Sequence, residues 1–213
     1  GFIANGLFQS EEEIANSATV KGYKALPGYI KYVDRNGDGI ITAAQDQGYV
    51  GKSATPKHTG SLNLFGNWKG FDFDLLFSWG LGNVVALTGQ YTASGSAGTQ
   101  DNTSFTKPFY HGGNSPTFLV ENSWTPEHTN AEFPRLEITG PSNNNGYSST
   151  FWYRNGNYMR LKTAQIGYNF PKKWLNPAGI EGLRLYVEGY NLLTFSGLTK
   201  YNIDPESPAV NNG

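Results

Sequence analysis

Two adjacent segments alternate apolar and polar side chains with a period of two, and no other feature narrows the fold as much. In residues 60–68, Leu62, Leu64 and Trp68 alternate with Ser61, Asn63 and Asn67. Lys69-Gly70 reads as a tight two-residue turn, after which Phe71, Phe73, Leu75, Phe77 and Trp79 alternate with Asp72, Asp74, Leu76, Ser78 and Gly80. Successive side chains on a strand point to opposite sides, so 60–81 is a hairpin with one oily side and one mostly wet side, Leu76 being the exception. Its arms run close to the ~9–11 residues that a tilted strand needs to cross a bilayer, against a globular norm of about 5–6. A soluble sandwich packs the same pattern inward, so periodicity alone leaves sandwich and membrane barrel both open.

A second hairpin is expected over 157–195. In the strand at about 157–170, Tyr158, Ala164, Ile166, Tyr168 and Phe170 share a face with Arg160 and Lys162 near its start, and Pro171 stops it. After a compact connection, Leu183, Leu185, Val187 and Gly189 alternate with Arg184, Tyr186, Glu188 and Tyr190, and the strand runs on to about Phe195. Between the hairpins, 82–156 is a long insertion rich in Gly, Ser, Thr and Asn with no sustained period. Residues 1–30 look irregular, with Glu11-Glu12-Glu13 opening a short helix or lying in a solvated loop. Short connections therefore fall at one end of the sheet and long ones at the other, the asymmetry of outer-membrane barrels. Four strands cannot close a barrel, for which about eight is the minimum, so further strands are required from elsewhere. No apolar run of about 18 residues occurs, which excludes a spanning helix and leaves a barrel as the only way across a bilayer. The chain opens on Gly1 without an initiator Met or a secretory leader, which points to processing or a fragment.

Composition fits this picture: 27 glycines and 15% aromatic residues mark a turn-rich β protein. Sixteen basic and 17 acidic residues give a formal charge of −1, so there is no cationic footprint for nucleic acid. The absence of cysteine excludes disulfide scaffolds, thiol catalysis and thiolate metal sites.

One segment carries the chemistry of a metal site. Residues 34–46 resemble an EF-hand calcium loop, with Asp34, Asn36 and Asp38 at positions 1, 3 and 5, Gly39 at the sharp turn of position 6, and the Ile40 carbonyl at position 7. Calcium wants six to eight hard oxygens. Position 12, usually acidic, is Gln45, and Asp46 comes one residue late. The expected role is a structural calcium that pins a loop; an Asx-rich turn without metal is the alternative.

Catalytic signals are weak. His58, His111 and His128 lie apart in polar stretches without metal-ligand spacing, and no nucleophile elbow or phosphate loop is present. The chain is therefore expected not to be an enzyme. In the insertion, Phe109, Tyr110, Trp152 and Tyr153 are candidates for stacking on a sugar or a peptide side chain, with packing inside the loop as the competing role. Trp68 and Trp79 suit either interfacial girdles or an ordinary core.

Several segments, taken in order, resemble the C-terminal part of SusC/RagA-type TonB-dependent outer-membrane transporters. They are Gly6-Leu7-Phe8-Gln9-Ser10-Glu11-Glu12-Glu13-Ile14, Leu26-Pro27-Gly28-Tyr29-Ile30-Lys31-Tyr32, the 34–38 loop, Gly60-Ser61-Leu62-Asn63-Leu64 and Lys69-Gly70-Phe71-Asp72. Ser123-Trp124-Thr125-Pro126-Glu127, Phe133-Pro134-Arg135-Leu136, Tyr158-Met159-Arg160-Leu161-Lys162 and Ile166-Gly167-Tyr168-Asn169-Phe170-Pro171 continue the series, and Leu183 to Phe195 with Asp204-Pro205-Glu206 close it. The resemblance implies an all-β chain of antiparallel strands within a 22-stranded transmembrane barrel, its plug lying outside this sequence. It also implies an outer-membrane location in a Gram-negative bacterium of Bacteroidota type. Import of oligosaccharides or peptides, a SusD-like surface lipoprotein as lid, and energy from TonB would follow. On that reading 1–59, 82–156 and 196–213 are extracellular loops, Phe71, Phe73, Leu75 and Phe77 face lipid, and Asp72, Asp74 and Ser78 face the lumen. The rival from another class is a secreted, calcium-stabilised β-sandwich that binds glycans.

Overall fold

The structure, a computed structural model, describes residues 1–50, 53–87, 115–136 and 145–207. It is mostly β, and its contacts divide the chain into two units, one of 53–85 with 155–208 and the other built chiefly of 1–52 with 86–154. Among the described residues no helix is long and apolar enough to cross a membrane.

The first unit is a four-stranded antiparallel sheet of β5 (His58–Trp68), β6 (Phe71–Leu81), β9 (Tyr158–Asn169) and β10 (Arg184–Ser196), in the order β10-β9-β6-β5. The β5–β6 turn is Lys69-Gly70 with φ of 50° and 92°, the left-handed pair that a two-residue hairpin requires. A side chain on Gly70 would also meet the Tyr168 ring and the Asn169 carbonyl at 2.9–3.0 Å. The compact connection between β9 and β10 contains α4 (Lys172–Leu175) and a 3-10 turn at Asn176–Ala178.

Residues directly opposite one another lie on the same side of a sheet, so the register assigns the two faces. Leu64, Leu75, Ala164 and Gly189 form one cross-strand row, and Trp68, Phe71, Tyr168 and Leu185 another. Asn67, Asp72, Gly167 and Tyr186 form a row on the opposite face. The alternation expected for 60–81 is thus extended across all four strands as one apolar and one polar face.

The second hairpin departs from its expected phase. Leu76 pairs with Thr163 but Phe77 pairs with Leu161, so Lys162 is skipped in a bulge. Arg160 consequently pairs with Ser78 and Thr194 on the polar face, while Met159 pairs with Trp79 and Phe195 on the apolar one. The expectation that Tyr158 and Arg160 share a face with Ala164, Ile166 and Tyr168 is corrected by this one-residue shift.

The apolar face is open. Phe71 is 53% exposed, Phe73 44%, Ile166 60% and Val187 78%. From the strand spacing and two-residue repeat the face covers roughly 600 Å², at the upper end of what a soluble monomer leaves uncovered. A sandwich that buries Phe71 and Phe73 as its core is incompatible with these exposures.

In the second unit, β1 (Ala4–Leu7) pairs antiparallel with β3 (Ile30–Tyr32), and β2 (Thr19–Val20) pairs parallel with β4 (Ile40–Ile41). The acidic run forms α1 (Glu11–Ala15), because Ser10 caps it by accepting from the Glu13 amide at 3.1 Å. The Lys31 ammonium pairs with Glu13, which together with the Gln9 amide holds the Glu13 carboxyl below its ordinary range. α2 (Ala43–Asp46) follows β4, and α3 (Thr117–Glu121) lies in the stretch expected to be a loop. Phe2, Ile30, Leu119, Phe133 and Trp152 are fully buried together with Ile41. The Ile30 amide donates to Asn145 Oδ1 at 2.8 Å, a buried bond across 115 residues of sequence. Segments that the sequence assigns to two separate loop regions therefore share one core. The chain passes between the units at β7 (Val84–Ala86) and β8 (Tyr153–Asn155).

Candidate functional site

The polar face of the four-stranded sheet carries the densest set of interacting charges. Arg160 stands near the long-loop end of β9, its side chain only 7% exposed. Its Nε donates to Thr194 Oγ1 at 2.9 Å, its Nη1 to Glu206 Oε2 at 2.8 Å, and its Nη2 to Asp204 Oδ1 at 2.7 Å. Lys162 lies 3.2 Å from Glu206 Oε1, which also accepts from the Ser78 hydroxyl at 3.2 Å. Asp204 Oδ1 further accepts the Glu206 amide at 2.9 Å, so the Asp-Pro-Glu turn is braced internally before it meets the strands. Leu198, Tyr201 and Ile203 are buried beside it. The segment after β10 is thereby folded back and clasped to the wet side of the strands. The Arg160 guanidinium, aided by the Glu206 and Ser207 amides, holds the Asp204 carboxyl below the usual carboxylate range. In the sequence, Asp204-Pro205-Glu206 stands out only within the family resemblance; the local signal is two cations, Arg160 and Lys162, two residues apart, and two anions at the same spacing.

At the opposite end of the same face, Arg184 grips Asp72, Nε to Oδ2 at 3.1 Å and Nη2 to Oδ1 at 2.5 Å, and Nη2 also reaches Gln165 at 2.6 Å. Asn169 donates to the same carboxylate at 2.7 Å. Arg184, Asp72, Gln165 and Asn169 thus link strands β6, β9 and β10 on this face.

The apolar face has aromatic rings at both ends. Phe71 and Tyr168 lie 4.6 Å apart between centroids, Tyr168 and Phe170 5.0 Å, and Trp68 is among the most exposed large side chains. Trp79, Leu81, Met159 and Phe195 line a groove at the far end. The eleven residues of β6 are separated by steps of about 3.3 Å, so from first to last they span roughly 33 Å, which a tilt of about 40° shortens to roughly 25 Å, the height of the apolar band on a membrane barrel.

In the 34–46 loop, Asp34 accepts the Gly37 and Gly39 amides, both at 2.7 Å, and Asp38 accepts the Ile40 amide at 2.9 Å. Asn36 accepts the Asp38 amide at 3.2 Å, and Gly39 takes the φ of 83° that position 6 of a calcium loop needs. Gln45 and Asp46 are directed elsewhere. Gln45 Oε1 accepts from the Thr42 hydroxyl at 3.1 Å, and buried Asp46 accepts the Arg35 and Thr42 amides at 2.9 and 2.7 Å. Those amides, Thr42 first, hold the Asp46 carboxyl below its ordinary value. Among the described residues no group of three His, Cys, Asp or Glu side chains is placed to hold a metal. The donors of Asp34, Asn36, Asp38 and the Ile40 carbonyl fit calcium in kind, being hard oxygens with lone pairs left over, and fall short of six in number.

Of the expected ligand-stacking aromatics, Trp152 is buried and donates from Nε1 to the Asn145 carbonyl at 2.8 Å, stacking near Phe133 and meeting Phe151 edge-on. Tyr153 is half-buried at the start of β8. Phe109 and Tyr110 lie outside the described residues.

No family model matches the chain. Three TonB-dependent receptors of Formosa agariphila are similar to it: P3 is 31% identical over 97% of this chain, P26 29% over 94%, and P39 27% over 82%. The chain spans only 16–18% of their length. Among solved structures, one of the RagAB peptide transporter matches with a TM-score of 0.60 at 22% identity, covering 97% of this chain and 20% of the matched one. The RagAB peptide importer in its open-open state gives 0.59 at 21%, over 97% of this chain and 19% of its own.

Proposed function

We propose that the chain is about a fifth of a SusC/RagA-type TonB-dependent receptor and that its four long strands are a stretch of outer-membrane barrel wall. The face bearing Phe71, Phe73, Leu75 and Phe77 meets lipid, and the face bearing Asp72, Asp74, Ser78 and Arg160 meets the lumen. The complete receptor imports oligosaccharides or peptides, coupled to TonB through a plug outside this sequence and covered by a SusD-like lipoprotein. Binding and gating are its work, without covalent chemistry. The observation that carries this reading is the apolar face, continuous over four strands and uncovered at Phe71, Phe73, Ile166 and Val187. Water would not leave such a face open on a stable monomer, whereas hydrocarbon removes the penalty.

Leu75 sits mid-strand in a row with Leu64 and Ala164. Leu75→Arg in the complete receptor is expected to cost about 2–4 kcal/mol of barrel stability, read as a lower temperature for the heat-modifiable shift on a gel. Unchanged migration and assembly would reverse the assignment of faces.

The 34–46 loop, in the same proposal, holds a structural calcium through Asp34, Asn36, Asp38 and the Ile40 carbonyl, with water completing the shell. Calcium is expected to raise the melting temperature of the complete receptor, and Asp34→Ala or Asp38→Ala to abolish the increment. A melt that ignores both calcium and chelator would leave the loop as an Asx turn.

A further inference from the structure

We infer that the second unit contains a binding pocket for a carboxylate joined to an apolar or aromatic body. A cavity of about 390 Å³ opens beside the parallel β2–β4 pair, within the range of about 300–1,000 Å³ that small-ligand sites occupy. Phe2, Val20 and Ile41, all buried, supply its greasy wall, together with Tyr147. Lys21 and Thr42 stand among its polar lining.

The wall is held rigidly. Val20 pairs with Ile41, and the Lys21 amide donates to the Ile41 carbonyl at 3.0 Å, so the residue bearing the cation is fixed by its backbone to the strand opposite. Phe2 stacks on Tyr147 at 5.4 Å with 14° between planes, and Phe2 in turn packs on Tyr32 at 5.0 Å. Burial and a hydrogen bond to Tyr23 push the Tyr147 phenol up to about 12, so it stays neutral at physiological pH and offers no repulsion to an anion.

Lys21 is the group that selects the ligand. Its side chain is exposed and its ammonium has no partner among the described residues, unlike Lys31 and Lys162, each of which faces a carboxylate. A cation at the lip of an apolar cavity favours a ligand whose negative end stays at the lip while its hydrophobic body enters. A bare inorganic anion would leave the wall wet, and a neutral apolar molecule would leave the charge unanswered. The C-terminal residue of a peptide and a free aryl or alkyl acid share the required chemistry.

The test uses the complete receptor purified in detergent and does not depend on energised import, so a failed transport assay and a failed pocket are told apart. Calorimetric titration with N-acetyl-L-phenylalanine is expected to show one saturable site. Replacing the carboxylate in N-acetyl-L-phenylalaninamide, or the cation in Lys21→Met, should each weaken binding about tenfold, the worth of one charge-assisted contact. Lys21→Arg should retain it, and Ala43→Trp, at an exposed lining position, should abolish it by filling the space. Preference for the acetylated amino acid over 3-phenylpropionate identifies a peptide terminus as the source, and equal binding identifies any apolar acid. Absence of saturable binding, or equal affinity for acid and amide, overturns the proposal, as does an affinity that survives both Lys21→Met and Ala43→Trp.

Discussion

Arg160 brings its charge to a nearly water-free position, and the three side chains that receive it come from two places in the chain, Thr194 on β10 and Asp204 and Glu206 of the 204–206 turn. The guanidinium is buried while Asp204 is 53% and Glu206 21% exposed, so removing Arg160 strips two partly desolvated carboxylates of their main cation, which is costlier than the network is favourable. Arg160→Met is therefore expected to destabilise the receptor by about 2–4 kcal/mol and to expose 197–207 to protease, with part of the loss recovered in a background of Asp204→Asn and Glu206→Gln. The same network sets a pH dependence. Asp204 is depressed by Arg160 in the folded state, so its contribution is present above the ordinary carboxylate value of about 3.9 and is lost as pH falls through the lower folded value. Acid should release the segment in the parent and add little in Arg160→Met; limited proteolysis across pH 5 to about 3 measures both. Equal cleavage of the two proteins at neutral pH would show that the turn is held by Leu198, Tyr201 and Ile203 alone.

Among the elements, the β5–β6 hairpin was the most legible, because alternation, a two-residue turn and strand length all point to one register. Lys69 adopts φ 50° there, a conformation that asparagine tolerates better than lysine. Lys69→Asn should therefore stabilise the hairpin by about 0.5 kcal/mol, and Gly70→Val should destabilise it by about 2 kcal/mol or more; thermal melts of the complete receptor measure both signs. β9 was legible in extent but not in phase, since a bulge leaves no mark in the apolar count and shows itself only in what the neighbouring strands pair with. The 34–39 turn was legible from its Asx spacing, whereas the direction of Gln45 and Asp46 was not, because their bonds to Thr42 and Arg35 depend on the short helix α2 that follows. Trp152 sits in a polar, glycine-rich stretch that reads as surface, and its burial arises from partners such as Phe133 and Asn145 that no local pattern connects to it.

At the scale of the molecule, the four-stranded sheet has two open sides among the described residues: β5 and β10 each have one sheet neighbour, and the apolar face is uncovered at Phe71, Phe73, Ile166 and Val187. Unpaired edges and a bare oily face together drive association in water. The 213-residue chain produced alone is expected to be insoluble or aggregated without detergent, by sedimentation or light scattering; a soluble monomer would contradict the barrel-wall reading and revive the sandwich. The length of the strands and the asymmetry of their connections are the sequence features that favour the proposed barrel-wall reading. The packed second unit has no such sequence feature, since its core is assembled from residues separated by a hundred or more positions, such as Ile30 and Asn145.

The skipped pairing at Lys162 has a practical corollary for anyone mapping β9 with attached probes. From Ala164 to Tyr168 the even-numbered positions lie on the oily side, whereas at Met159 and Leu161 the odd-numbered ones do. A scan that places a nitroxide at every second residue must restart its count there: of two odd-numbered positions, a label at Met159 should be relaxed by dissolved oxygen, and one at Gln165 by an aqueous nickel chelate.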